Sequence, residues 1–490
     1  MSPDTTAFPT DAALSPLDGR YRPITAPLTL YLSEEALNRN RLFVEVEWLI
    51  YFANLQAVAG GPPPLSEDAA TYLREVPSRF DDDMRSRLGA LEAQTRHDVK
   101  AVEYLLVEEM GAVEGDLGEE LAAWLQAVHF LATSEDVNNL AVALGVRGAI
   151  TKVWLPAARG LVEDLTAMAE ELKDVPMLGR THGQPATPTT VGKELAVFAY
   201  RLQGALKRVA DAEYLGKFNG ATGTYSAHTA TLPNVDWVAA SRGFVEGLGL
   251  TWNPLTTQIE SNDWQVRLYS DVTHFNRVAH NLATDMWLYI SLGYFKQKLT
   301  EHGSTGSSTM PHKVNPIRFE NAESNLELSN AILDALRETL ATSRWQRDLS
   351  DSSTKRNVGV GLGYSLVALS NLRGGLRTLQ VNEDATHADL AAHPEVLAEA
   401  IQQALRVGEL SAPSKTDASK AAEHVGPYER LKDATRGKRV TLEDLRTLLN
   451  GLDENELPTA TRERLATLTP ATYTGLASDL IGFLQVNEDD

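Results

Sequence analysis

Apolar residues recur at helical spacing along most of the chain. Leu326, Leu333 and Leu340 fall seven apart, with Ala331 and Leu336 between them. Leu362, Leu366, Leu369, Leu372, Leu376 and Leu379 step by three and four. Both patterns describe core stripes of long packed helices. Helical patterning also covers 34–59, 67–87, 190–217 and 264–298. The first of these runs into Gly60-Gly61-Pro62-Pro63-Pro64, which no helix can continue. No alternating run long enough to predict a strand is present. The reading is an all-α fold with a central bundle of about five long helices. Changes of character divide it into three domains, 1–117, 118–380 and 381–490.

The breaks between helices carry the chemistry. Residues 303–309 consist of Gly, Ser and Thr alone. That composition disfavours helix and strand and predicts a polar loop. Met310-Pro311-His312-Lys313-Val314-Asn315-Pro316 follows, a cation and an amide between prolines. A hydroxyl-rich loop feeding a cationic turn can close over an anion and set an alkoxide beside it. Arg180-Thr181-His182-Gly183-Gln184-Pro185 lies between two helical patterns. Thr187 and Pro188 fit the N-cap and first turn of the next helix, so His182 is expected on a constrained loop, suited to acid–base work.

Several other breaks read in two ways. Asp18-Gly19-Arg20-Tyr21 is either a plain turn or an anion clamp. Arg96-His97-Asp98 is either a helix cap or an anion site. Thr133 and Ser134, followed by Glu135 and Asp136, make a good helix start. The free N–H groups of such a start also form an anion seat. Gln258 lies in a polar loop at 253–260. Arg344, Arg347, Lys355 and Arg356 share one break with Ser352, Ser353 and Thr354, a plausible phosphate surface. Gly359, Gly361 and Gly363 follow no strand and read as close helix packing, not as a dinucleotide turn. The 409–426 stretch reads as a solvated loop or insertion.

Composition narrows the function. The chain has 490 residues, a formal net charge of −21 and no cysteine. Disulfides, thiolate catalysis and Cys-ligated metals are excluded. A reducing cytoplasm is compatible with this. The acidic balance argues against a nucleic-acid partner. It also means that an anionic ligand needs a local cluster of Arg, Lys and helix N-termini to reverse the field. The first residues have neither a basic start nor an apolar run, and the longest apolar run, 286–295, is short for a membrane span. No Walker loop, HExxH or GxSxG motif is present.

GSSTMPHKVNP resembles the signature of the fumarase/aspartase superfamily. SPLDGRY, TSEDVNN, RTHGQPATPTTVGKE, NPLTTQIE, SRWQRDLSDS and TRGKR run in an order similar to that of the bacterial adenylosuccinate lyases. Argininosuccinate lyases resemble the chain in the Ser-loop signature, but are not expected to combine DGRY, the His97-Asp98 pair and TRGKR. The resemblance implies the three-domain fold of that superfamily, with no cofactor and no metal. It implies a cytoplasmic homotetramer whose composite sites draw loops from several subunits. The implied reaction is β-elimination of fumarate from adenylosuccinate, a ligand carrying a charge of about −4. Ser307 is then the base and His182 the acid, while Lys313 and Asn315 stabilise the carbanion. Arg20, Tyr21, Arg96, His97, Asp98, Thr133, Ser134, Gln258, Ser308, Asn321, Arg347, Ser352, Ser353, Thr354, Lys355 and Arg356 are implied substrate contacts. Arg20, Tyr21, Arg347 and 352–356 are assigned mainly to phosphate and ribose, and Thr133, Ser134 and Gln258 to the succinyl part. Arg96 departs from the family pattern, where a smaller polar residue such as Asn is expected.

Overall fold

The computed structural model describes residues 13–298, 314–411, 440–454 and 456–484. Its helices begin with α1 (Arg22–Leu32), α2 (Glu34–Leu55), α3 (Glu67–Ser78), α4 (Asp82–Thr95), α5 (Asp98–Gly111), α6 (Gly115–Ala123) and α7 (Ser134–Ala149). A π-turn joins α7 to α8 (Leu155–Glu171), and the hairpin β1 (Pro176–Thr181) and β2 (Gln184–Thr190) comes before α9 (Val191–Ala210). After β3 (Leu215–Gly216) come α10 (Ser226–Thr231), α11 (Trp237–Gly247) and β4 (Thr251–Trp252). Next are α12 (Asp263–Ser291), β5 (Phe295–Gln297), α13 (Ile317–Leu340), α14 (Ser350–Lys355), α15 (Val358–Leu376) and β6 (Leu379–Val381). α16 (Glu383–Ala392), α17 (Ala398–Ser411) and short terminal helices complete the described chain.

Contacts divide the chain into two compact units. The first is Met1–Gly160, Gly204–Asn281 and Glu320–Leu372; the second is Leu161–Gln203, Leu282–Phe319 and Arg373–Asp490. In the first unit the expected stripes are buried: Leu326, Leu333, Leu362 and Leu369 are closed to solvent. Trp154 packs edge-on to Phe275 at 5.1 Å between centroids, and its Nε1 donates to Ser365 Oγ at 2.9 Å. A dry polar knot lies beside this pair. Asn276 Nδ2 donates to Ser329 Oγ and Asn330 Oδ1, both at 3.0 Å, and Ser365 Oγ donates to Asn276 Oδ1 at 2.8 Å. Groups buried so deeply must find these partners, so the knot fixes the register of α12, α13 and α15. Gly361 belongs to the same packing, because a Cβ there would lie 3.0 Å from Leu333 Cδ2.

The second unit holds the hairpin and an apolar cluster of Leu397, Ile401, Leu405, Leu445, Leu449 and Leu457. The hairpin corrects the expectation of a helix-leading loop at 187–188. Thr187 and Pro188 lie in β2, and the helix begins at Val191. Other boundaries also move. The 67–87 stretch breaks into α3 and α4 because Asp81 caps a new start, its Oδ1 accepting the Met84 N–H at 3.0 Å. The 190–217 and 264–298 stretches end early, at Ala210 and Ser291, and short strands follow. One continuous stretch, Ser134–Glu171, is long and apolar enough by composition to cross a membrane, with mean hydropathy 1.3 over its best window. Half of that window is buried inside the protein, as in a core helix.

Candidate active site

The N-terminus of α7 is a capping box. Asp136 Oδ2 accepts the Thr133 N–H at 2.9 Å. The same fully buried carboxylate accepts Lys217 Nζ at 2.8 Å, Asn219 N at 2.9 Å and Gly220 N at 3.0 Å. These four donors fill the sites a carboxylate offers. Thr133 and Ser134 therefore stand on a rigid base. The base extends to Gln258, whose Nε2 donates to Ala221 O at 2.9 Å. Gly223 permits that approach, since a Cβ there would lie 2.3 Å from Thr256 O. Glu260, also buried, accepts from Asn253 Nδ2 and Asn262 N, each at 2.8 Å. Burial nevertheless pushes its carboxyl above the usual range.

A second cluster surrounds a cleft lined in part by Glu34, Arg41, Glu135, Ser352, Lys355 and Arg356. Arg347 pairs with Glu135 at 3.0 Å and with Asp351 at 3.5 Å. Lys355 pairs with Asp351 at 2.9 Å. Arg356 reaches Glu34 at 2.8 Å and Asp98 at 3.2 Å. Beneath them the buried Arg41 holds Asp98 at 2.7 Å and Asn138 Oδ1 at 2.8 Å. Burial alone would raise the Asp98 carboxyl, but Arg41, the Val99 N–H and Arg356 hold it below the ordinary range. Burial likewise lowers Arg41, which Asp98 opposes.

The expected excess of positive charge is not present within this cluster. Arg41, Arg347, Lys355 and Arg356 are matched by Glu34, Asp98, Glu135 and Asp351. Arg20 and Arg96 lie outside the pairing, and both are exposed. His97 caps α5, its Nδ1 accepting the Lys100 N–H at 3.2 Å, and its ring is exposed. Tyr21 OH accepts Asn321 Nδ2 at 2.9 Å across 300 residues of sequence. Ser352, Ser353 and Thr354 fall in α14, with Thr354 Oγ1 donating to Ser350 O at 2.8 Å.

All of these residues belong to the first unit. His182 and Asn315 belong to the second. His182 and Gly183 form the two-residue loop between β1 and β2, with φ of 53° and 72°, and Thr181 pairs with Gln184. Two successive left-handed residues are what a tight hairpin of this kind requires. Gly179 lets the strands meet, because a Cβ there would sit 2.3 Å from Thr187 O. The hairpin is braced by Arg180 to Asp389 at 2.6 Å and by Thr187 to Glu399. His182 itself is exposed at the tip. Asn315 is half-buried, and the preceding Val314 O accepts Gln297 Nε2 at 3.1 Å. Ser307, Ser308 and Lys313 lie outside the described residues, as do most of 409–426 and the TRGKR segment.

Sequence reasoning named Asp98, Glu135 and Asp136 but not their pairing with cations, and it missed Glu34, Asp351, Arg41 and Lys217. Asp136 had a readable signal, since it stands third after a Thr cap. Arg41 had none, lying in a helix whose pattern is otherwise that of a core.

A family model described as lyase matches residues 19–330, and one described as adenylosuccinate lyase C-terminal matches residues 343–474. The adenylosuccinate lyase of Haemophilus influenzae is 45% identical over 96% of this chain and 98% of its own length. That of Escherichia coli K12 is 44% identical over the same shares. Among solved structures, a fumarate lyase from Mesorhizobium sp. BNC1 matches with a TM-score of 0.70 at 20% identity, covering 93% of this chain and 96% of that one. The 3-carboxy-cis,cis-muconate lactonizing enzyme of Pseudomonas putida matches at TM-score 0.65 and 20% identity, over 93% and 97% of the two chains. The two solved structures support the mostly helical fold. With model matches along most of its length and near-full-length relatives above 40% identity, the chain belongs to the adenylosuccinate lyase family of lyases.

Proposed function

We propose that the chain eliminates fumarate from adenylosuccinate to give AMP, and from the corresponding succinyl-aminoimidazole-carboxamide ribotide. The observation that carries this reading is the near-full-length similarity to relatives of that name. The exposed position of His182 on a tight hairpin loop of the second unit also supports it. The base, Ser307, removes a proton from the carbon beside a carboxylate. The electron pair left there spreads into that carboxylate, where Lys313 and Asn315 stabilise it. The C–N bond then breaks, the pair forms the fumarate double bond, and His182 gives a proton to the departing nitrogen. Arg20, Tyr21, Asn321, Arg347 and 352–356 take the phosphate and ribose. Thr133, Ser134 and Gln258 take the succinyl carboxylates, while Arg96, His97, Asp98 and Ser308 complete the binding surface.

The protein works as a homotetramer in the cytoplasm, with sites shared between subunits. Val197 and Tyr200 on α9 and Trp287 and Leu288 on α12 are exposed in the single chain. Such apolar surface suits burial against further copies. Incubation with adenylosuccinate should release fumarate and AMP, and argininosuccinate should release nothing. Fumarate from argininosuccinate alone would move the chain to a sister activity.

A further inference from the structure

The hairpin that carries His182 is not held by its own ladder alone. Its pairing slips between Met177 and Gly179. Pro185, opposite Arg180, has no N–H to give. A lone two-stranded hairpin is marginal in water, so side chains must fix the tip. Arg180, two residues before His182, reaches Asp389 Oδ2 on α16 at 2.6 Å. Asp389 is itself fixed. Tyr294 OH donates to the same Oδ2, and the buried Tyr294 ring stacks on Tyr289 at 6.1 Å between centroids. His393 Nδ1 donates to Asp389 O at 2.8 Å. Asn382, just before α16, gives its N–H to Tyr294 O at 2.7 Å and its Nδ2 to Gly293 O at 2.8 Å. All of these groups lie in the second unit. The Arg180 and Asp389 side chains are 28% and 21% exposed. A pair so open to water adds little to folding stability, but it fixes the direction of one strand.

We propose that Asp389 is a positioning residue for His182: acting through Arg180, it anchors β1 next to the tip, so that the ring stays where it gives its proton to the departing nitrogen. The inference rests on the reading of His182 as that proton donor. The two left-handed residues of the tip set the shape of the loop, but not where the whole hairpin points. The Arg180 guanidinium offers a planar fork, and Asp389, held by Tyr294 and His393, presents a fixed acceptor to it. A displacement of about 1 Å in a reacting group can cost a hundredfold in rate. Thr187 to Glu399 braces the other strand from α17, so loss of Asp389 loosens the tip without freeing the hairpin. The effect therefore falls on kcat, while the groups that bind substrate stay in place.

The test is kcat and KM for fumarate release from adenylosuccinate, measured on the full-length protein. Asp389→Asn should lower kcat about tenfold or more, with KM within about twofold of wild type. Arg180→Gln should do the same, and the double variant should be no worse than either alone. On the His182→Ala background Asp389→Asn should cost nothing further, because its effect passes through the missing ring. Damage to the fold at large would add its full loss there. Wild-type kcat in Asp389→Asn, or a loss in KM alone, overturns the proposal. So does an equal further loss on the His182→Ala background. If Asp389→Asn does not fold, Arg180→Gln, alone and with His182→Ala, decides by the same criteria. Wild-type kcat in His182→Ala would instead remove the reading of His182 as the acid.

Discussion

The two units supply different kinds of residue. In the first, the binding candidates are tied down before any ligand arrives. Thr133 rests on the four-donor carboxylate of Asp136, and Arg347, Lys355 and Arg356 are each held by an acid. In the second, His182 stands exposed at the end of a hairpin braced from its flanks. The difference matches what each task needs. Recognition of a multiply charged ligand gains from cations that are already oriented, because little freedom is lost on binding. A proton donor needs an open ring on a fixed backbone, which a tight hairpin loop provides.

The comparison can be broken most strongly at the proposed base. Ser307→Ala should lower turnover by at least about a thousandfold while substrate still binds. Measured kcat and a binding titration separate the two effects, and near-normal turnover removes the assignment.

Removing the base of the α7 cap acts on folding. Asp136→Ala leaves Lys217 buried and unpaired, which should cost about 3–5 kcal/mol. Asp389→Ala, which removes the partly exposed brace of the hairpin, should cost only about 1 kcal/mol or less. Denaturant unfolding of both variants checks the ranking; equal losses would erase the contrast in rigidity.

A milder test uses pH. The Asp98 carboxyl is depressed in the fold, so its pairing with Arg41 and Arg356 is complete above the unfolded pKa and is lost as pH falls through the folded one. KM should rise on the acid side, and Asp98→Asn should abolish that pH dependence.

The smallest effect concerns Arg96, which terminates α4 with φ of 53°. Asn tolerates the left-handed region better, so Arg96→Asn should stabilise the protein by up to about 1 kcal/mol. A loss of stability would show that the Arg side chain contributes more than its strain costs.

The long helices and caps were legible because they are local. Leu stripes follow the helical period, and Thr133 and Asp136 stand three apart. The hairpin was not, because 184–190 has Gln, Pro and Thr in place of an apolar alternation. Its one signal was His182-Gly183, a pair suited to two positive φ values. Among the ion pairs, Asp351 with Arg347 and with Lys355 had a local signal, the spacing of four, but the long-range pairs had none. Arg41 and Asp98 are 57 residues apart, and Arg356 and Glu34 are 322 apart. For such distant pairs, only folding reveals which acid holds which cation.

The division of labour is tested most directly by steady-state kinetics of His182→Ala and Arg347→Met side by side on adenylosuccinate. The account predicts that His182→Ala lowers kcat by about a hundredfold or more with KM little changed. It predicts that Arg347→Met mainly raises KM. A high KM with normal kcat in His182→Ala, together with a collapsed kcat and normal KM in Arg347→Met, would contradict it.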